Sequence, residues 1–470
     1  MPPILALVGA FGLSGFLVWK SRLETAGASA ATWITTFWMM RCASRSLNLW
    51  FYPVQRGDVW SVDSLASVSD TLYDQIALAV LTVFAVAVLV SRRGRVSILT
   101  ADNRPLLLLF GYMLVSTVWS PEPAISMKRW LLTVGDLAAV LIVLSEPRRL
   151  AAVSAVFSRC FAILVPLSIV LSNYYPTYGR ARSKHWLPDT WIGVATHKNT
   201  LAELAMLAAL FYTWQIVSQG TFKLVWKRDW RNLLMLAMSL FLLRADGNLS
   251  VSTTAVAAFI LGTVLLLFLR RSPGFSRRWL RMFVLVLLGL GFSSAVTGVA
   301  LTSWLFGSIG ELAGKDSTLT GRTLLWQVLV ELANEHPLLG VGFGAFWDSD
   351  AARALRELPD MSWAPGQAHN GYLELYLNLG LIGLALLGAV TWRSLKRILG
   401  TFERDSLGAF MLALFVVTLV YNLSEAAFGR PTHLIWFVFL LTTASVALRG
   451  GGLERATTAP AANSSVAHAR

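Results

Sequence analysis

The chain has 470 residues, 55% hydrophobic and 14% charged, with a mean hydropathy of +0.59. A soluble protein of this length is about a quarter charged, so a water-soluble globular enzyme is excluded. The formal net charge of +14 does not mark a nucleic-acid binder, because the basic residues sit in short clusters between apolar stretches, the pattern that orients membrane helices.

Apolar stretches of roughly 17 residues or more recur from end to end. The expected fold is all-α: a polytopic membrane protein with about twelve transmembrane helices and a large, partly helical extracytoplasmic loop. The spans are expected at 2–18, 73–91, 104–119, 129–145, 151–171, 197–217, 231–244, 250–269, 280–304, 371–391, 407–424 and 433–448. Residues 1–450 read as one polytopic domain and 451–470, rich in Ala, Thr, Pro and Ser, as a disordered cytoplasmic tail. Met1 to Trp19 lacks the basic start and small-residue cleavage site of a signal peptide and reads as the first helix. Cys42 and Cys160 are the only cysteines, which gives neither a disulfide framework nor a metal–cysteine site.

Orientation follows from the short basic loops. Arg92, Arg93, Arg95 and Arg104 mark one, Arg148 and Arg149 the next, then Lys223, Lys227, Arg228 and Arg231. Further on come Arg270 to Arg281, Arg393 to Arg404, and Arg449 with Arg455. These alternate along the chain, so they are expected to be cytoplasmic, with both termini on that side. Region 19–72 breaks the pattern, with Lys20, Arg22, Arg41, Arg45 and Arg56 on the outer side. Within it the apolar, Trp-containing stretch Ala28 to Met40 is expected either to lie in the interface as an amphipathic segment or to change the span count.

The outer face keeps two large loops, 172–196 and 305–370. The longer carries eight acidic and four basic residues. Within it Thr320 to Glu335 reads as an amphipathic helix, with Leu325, Val328, Leu329 and Leu332 on one face, Thr320 as N-cap and Pro337 as the stop. Gly340, Gly342 and Gly344 follow, outside any βαβ unit, so they are no dinucleotide fingerprint. The chain then reaches His369-Asn370-Gly371, where a polar pair turns into an apolar span carrying Glu374 and Asn378 in its first turns.

The combination resembles a known family. Gly321-Arg322-x-x-x-Trp326, Pro337-Leu-Leu-Gly-Val-Gly-Phe-Gly344, His369-Asn-Gly-Tyr-Leu-Glu374 and Gly380-x-x-Gly383 look like the O-antigen ligases and polysaccharide polymerases, closest to exopolysaccharide polymerases of the succinoglycan type. The resemblance covers roughly 190–425. It implies a metal-independent glycosyltransferase without cofactors, in the bacterial inner membrane, with its active site on the periplasmic side. The implied donor is an undecaprenyl-pyrophosphate-linked oligosaccharide and the implied acceptor a glycan. Membrane lipids, a flippase and a chain-length regulator are the implied partners of a polymerase, and nucleic acid is not one.

Tested against that chemistry, His369 is the candidate base for an acceptor hydroxyl. Arg322 is the candidate diphosphate ligand, because a guanidinium fork matches phosphate oxygens and a cation in a first helical turn opposes the helix dipole unless an anion faces it. Glu374 completes the expected catalytic set, since an acid in a span is functional by default; shallow solvation is its bland alternative. Arg180, Arg182, Lys198, Asn199, Arg244 and Asn370 are expected to bind substrate, with no metal site. Loop 172–196 interleaves Tyr and Trp with basic residues, which fits either phosphate and sugar binding or headgroup anchoring. Thr200-x-x-Glu203 also fits a capping box. Arg244 is set against a local pair with Asp246, and Ser250 to Thr254 lacks the basic residue the family often carries there. Asn422, Glu425 and Arg430 form another outer corner that either completes the pocket or is a solvated turn.

Two competing functions stand beside polymerisation. A ligase would pass the same donor's glycan to a lipid A core. A transporter or flippase would need no catalytic residue, but would favour inverted repeats and midplane charges, neither of which is evident. A non-catalytic scaffold leaves the matched Arg322 and His369 without a reason.

Overall fold

The computed structural model describes residues 2–51, 72–181, 190–218, 230–244, 252–271, 277–298, 319–357, 366–401 and 406–445. The regular elements among the described residues are helices apart from one two-stranded antiparallel ribbon, in which Arg180 pairs with Trp191. Each of the twelve expected spans coincides with a helix, yet six are both long and apolar enough to cross a membrane: Pro3–Glu24, Leu72–Ser91, Arg149–Tyr174, Lys198–Ser218, Arg277–Thr297 and Gly371–Gly400. A seventh arises if Arg93–Ala101 and Arg104–Trp119, bent by 89°, act as one. The protein is a multi-pass membrane protein. Its count of twelve is not reached because several helices are short: Ser406–Tyr421 has 16 residues and Leu434–Ala444 has 11. At about 1.5 Å per residue neither covers a hydrocarbon core about 30 Å thick.

Those two short helices are the centre of the molecule. All of Leu434–Ala444 is buried, as is Phe410 to Tyr421, and they pack on each other, on Pro123–Leu144 and on Thr253–Arg271. A helix hydrophobic all round belongs inside, and these are enclosed by the longer ones. The loop between them is buried as well from Asn422 to Gly429.

Region 19–72 differs from expectation. Thr32–Ala43 is a helix packed against Pro123–Leu144 and Arg149–Tyr174 rather than an interfacial one. Trp38 and Met39 are fully buried, and the Trp38 indole donates to Asp136 at 2.6 Å. Two of the misplaced cations are consumed internally. Arg41 pairs with Asp74 at 3.3 Å, and buried Arg45 donates to the carbonyls of Tyr178, Val194 and Ala195. Neither is a free loop charge, which removes their conflict with the orientation rule. Arg56 and the 451–470 tail lie outside the described residues.

The helix Gly371–Thr401 is broken at Gly380, whose φ is 62°. The break exposes backbone groups that the Pro337-Leu-Leu-Gly-Val-Gly342 segment satisfies. Val341 and Gly342 N–H donate to the carbonyls of Leu377 and Asn378, while Leu381 and Ile382 N–H donate to those of Pro337 and Leu338. A Cβ on Gly380 would meet the Leu338 carbonyl at 2.3 Å, and one on Gly340 would meet the Asn378 backbone at 2.4 Å. The glycine run read from the sequence is thus a splint for a broken helix.

Candidate active site

Three polar side chains from distant parts of the chain converge on Glu425, in the buried loop. One carboxylate oxygen lies 2.9 Å from His369 Nδ1. The other accepts from the Asn199 side-chain amide at 2.8 Å and lies 3.4 Å from the Arg322 guanidinium. Arg322 also donates to the Ser424 carbonyl at 3.0 Å. The anion that a first-turn arginine requires is therefore Glu425.

Local structure explains the convergence. Arg322 and Trp326 stand four residues apart in the helix Leu319–Ala333 and so share a face. Arg322 reaches the Glu425 loop, while the Trp326 indole donates to the Ala368 carbonyl at 2.7 Å. The Gly-Arg-x-x-x-Trp motif therefore clamps the residue before His369. On the other side, Asn370 caps the broken helix by accepting from Tyr372 and Leu373 N–H. His369 between them has φ 49°. A left-handed non-glycine residue persists only where its surroundings over-determine it, as they do here. The Glu425 loop is braced in turn: the Asn422 side chain accepts from Ala427 and Phe428 N–H, and Gly371 N–H donates to the Asn422 carbonyl at 2.8 Å. A Cβ at Gly371 would lie 1.9 Å from the Asn422 amide oxygen, so this turn demands glycine.

The electrostatics follow. Burial alone would raise the Glu425 carboxyl, but His369 first, then Arg322 and His197, outweigh it and hold it down to about 2. An ionised carboxylate at Nδ1 makes that nitrogen the N–H donor, which leaves Nε2 with the lone pair. The cluster can take a proton at Nε2 and stabilise the resulting imidazolium through Glu425, while part-exposed Arg322 faces an anion.

The other expected residues fall into separate places. Glu374, grouped with His369 in sequence, is buried and accepts from the Trp347 indole at 2.8 Å, from Ala368 N–H at 2.8 Å and from Asn378. It is not among the groups bonded to His369 or Glu425. Asn370 is fully buried, with its amide also donating to Ser294, which makes it a cap with no face toward solvent. Lys198 is exposed at the start of its helix beside Asn199, and Arg244 is exposed at the end of Trp230–Arg244. Arg180 is anchored on the Ser172 carbonyl and over Trp191. Arg182 and Asp246 lie outside the described residues. Glu203 is no capping-box member: it is buried, accepts from Tyr421 at 3.1 Å and lies 3.6 Å from His433. Thr254, in the Ser-rich turn without a basic residue, shares a 2.7 Å hydrogen bond with Ser424 and so braces the Glu425 loop.

Residues 233–388 match the O-antigen ligase family, and this segment contains Arg322, the glycine splint and His369. Over 346 residues the chain is 27% identical to the exopolysaccharide production protein ExoQ of Rhizobium meliloti (strain 1021), covering 71% of this chain and 74% of that protein. The O-antigen ligase segment holds two members of the cluster; Asn199 and Glu425 lie outside it. Sequence reading placed Glu425 only at an uncommitted corner. Its signal was there: between Asp405 and Arg449 the only acidic residue is Glu425 and the only basic one Arg430, and a lone acid amid apolar spans is costly enough to need a reason.

Proposed function

We propose that the protein is a glycosyltransferase of the bacterial inner membrane that polymerises undecaprenyl-pyrophosphate-linked oligosaccharide repeats into exopolysaccharide on the periplasmic side. The observation that carries this reading is the His369–Glu425–Arg322 cluster, two of whose members lie in the segment that matches the O-antigen ligase family. The acceptor hydroxyl gives its proton to His369 Nε2 as its oxygen attacks the anomeric carbon of the donor. The bond from that carbon to the phosphate oxygen breaks, and its electron pair leaves on undecaprenyl pyrophosphate. Arg322 meets the charge that develops there, with the exposed Lys198 and Arg244 as further candidate cations. The imidazolium then releases its proton to solvent or to the departing diphosphate. One displacement inverts the anomeric centre. The leaving group itself holds the free energy, so no nucleotide is required.

Transfer to a lipid A core uses the same donor and the same residues. The relative's name, an exopolysaccharide production protein, favours polymerisation. His369→Ala and Arg322→Ala, each expressed in a strain deleted for the gene, should accumulate single lipid-linked repeats with the protein still in the membrane. Normal glycan ladders from both variants would remove the assignment.

A further inference from the structure

A cavity of about 820 Å³ is walled in part by Phe428 to Thr432, the part of the loop that follows Glu425. It is of the size that holds small organic ligands. Glu374, Asn378, Trp347 and Phe428 line it, and Ala124 stands at its rim. Arg430 joins it to the active site, because it lines the cavity and also donates to Gln367, two residues before His369.

The charge pattern of its wall differs from what a diphosphate needs. Arg41 is paired with Asp74 and Arg129 with Asp348, so two of the four cations that line it are met by carboxylates of the same wall. What remains is a mixture of carboxylate and amide acceptors, guanidinium donors and aromatic rings. That mixture suits a neutral, hydroxyl-rich ligand: hydroxyls both donate and accept, and an apolar ring surface covers their C–H faces. The aromatic part is fixed in advance. Glu374 holds the Trp347 indole N–H at 2.8 and 3.1 Å, and Asn378 fixes the start of that turn by accepting from Phe346 N–H at 3.2 Å. Trp347 remains part-exposed. A preorganised aromatic costs little ordering entropy on binding.

We infer that this cavity is a glycan subsite, which holds sugar residues of a substrate beside His369, with Trp347 as its platform and Glu374 as the residue that positions Trp347. The inference rests on the glycosyltransferase reading for its ligand class and gives Glu374 a role outside the proton transfer. The sugars come either from the single-repeat acceptor or from the growing chain on the donor, which share this chemistry.

The test uses the full-length protein in lipid nanodiscs. The probe is the lipid-free repeat-unit oligosaccharide, made by depolymerising the host's own exopolysaccharide, in one-repeat and two-repeat lengths, titrated by calorimetry. Trp347→Ala removes the platform, and Ala124→Trp plugs the rim from an exposed position. Each is expected to raise the dissociation constant on the order of tenfold or more, the loss of about one good contact, and His369→Ala is expected to bind as wild type. Equal affinity for both lengths assigns the subsite to the acceptor; tighter binding of two repeats assigns it to the growing chain. No binding by wild type, or unchanged affinity in either cavity variant, overturns the subsite. Polymer formed by His369→Ala would overturn the catalytic reading instead, without touching the binding result.

Discussion

The Glu425 carboxylate receives a histidine, an arginine and an asparagine at once, and it is the residue on which the site's chemistry depends. Replacing it with Gln keeps the shape but offers Nδ1 a group that no longer demands its proton. Loss of an orienting carboxylate typically costs about 10²-fold or more, so polymerisation by Glu425→Gln in nanodiscs should fall by at least that much while the protein stays folded. The depressed pKa has a thermodynamic counterpart. A carboxyl held at about 2 in the folded protein, against about 4.3 unfolded, contributes stability above the unfolded value and loses it as pH falls through the folded one. The shift corresponds to roughly 3 kcal/mol. The melting-temperature gap between wild type and Glu425→Gln in detergent should therefore close between about pH 4 and 2. A gap independent of pH down to 2 would mean that the carboxylate is not ionised against its partners. His369 and Arg322 were legible in sequence because their motifs are local. Sequence reading leaves Glu425 uncommitted and makes Asn199 a substrate ligand, since nothing in a one-dimensional reading says that residues 226 apart share a hydrogen bond. Glu374 is expected in the catalytic set because an acid in an apolar span is functional by default, but its carboxylate is turned toward Trp347.

At the scale of elements, the broken helix explains glycines that motif reading could only match. Gly380→Ala and Gly340→Ala should each destabilise the protein by about 2 kcal/mol or more, because a Cβ meets backbone that cannot move aside and φ is positive at both positions. The control is Gly289→Ala, in the helix Arg277–Thr297, where a Cβ meets nothing within 4 Å; it should be neutral or slightly stabilising. Thermal-shift assays in detergent compare the three. Equal melting temperatures would deny the splint its structural role. Hydropathy located the helices well, since apolar runs must bury their backbone in lipid or protein. It could not tell a helix facing lipid from one wrapped by others, which is why Ser406–Tyr421 and Leu434–Ala444 read as full spans.

For the whole molecule, the cluster and the cavity meet at the Asn422–Thr432 loop, and the proposed function puts that end on the outer side, as the basic loops lead one to expect. Asn173 and Ser91 are both exposed and close helices expected to end on opposite faces. The native Cys42 and Cys160 are buried and should stay silent. In intact spheroplasts a membrane-impermeant maleimide should label Asn173→Cys and leave Ser91→Cys unlabelled until the membrane is opened. The opposite pattern inverts the topology. The same orientation gives Arg41 and Arg45 a meaning that charge counting missed: cations inside ion pairs and carbonyl cages carry no topological vote.

The splint also bears on how the protein is made. Translation delivers Pro337 to Gly342 before the helix whose gap they fill, so the donors and acceptors for the break are already synthesised when Gly380 emerges. A circular permutant that begins between Gly342 and Gly371 would reverse that order and present the membrane with four unsatisfied backbone groups, each costing several kcal/mol in hydrocarbon. Chain order in this protein is thus part of its biogenesis, and a gene fusion or rearrangement that preserves every contact of the finished fold can still fail at insertion.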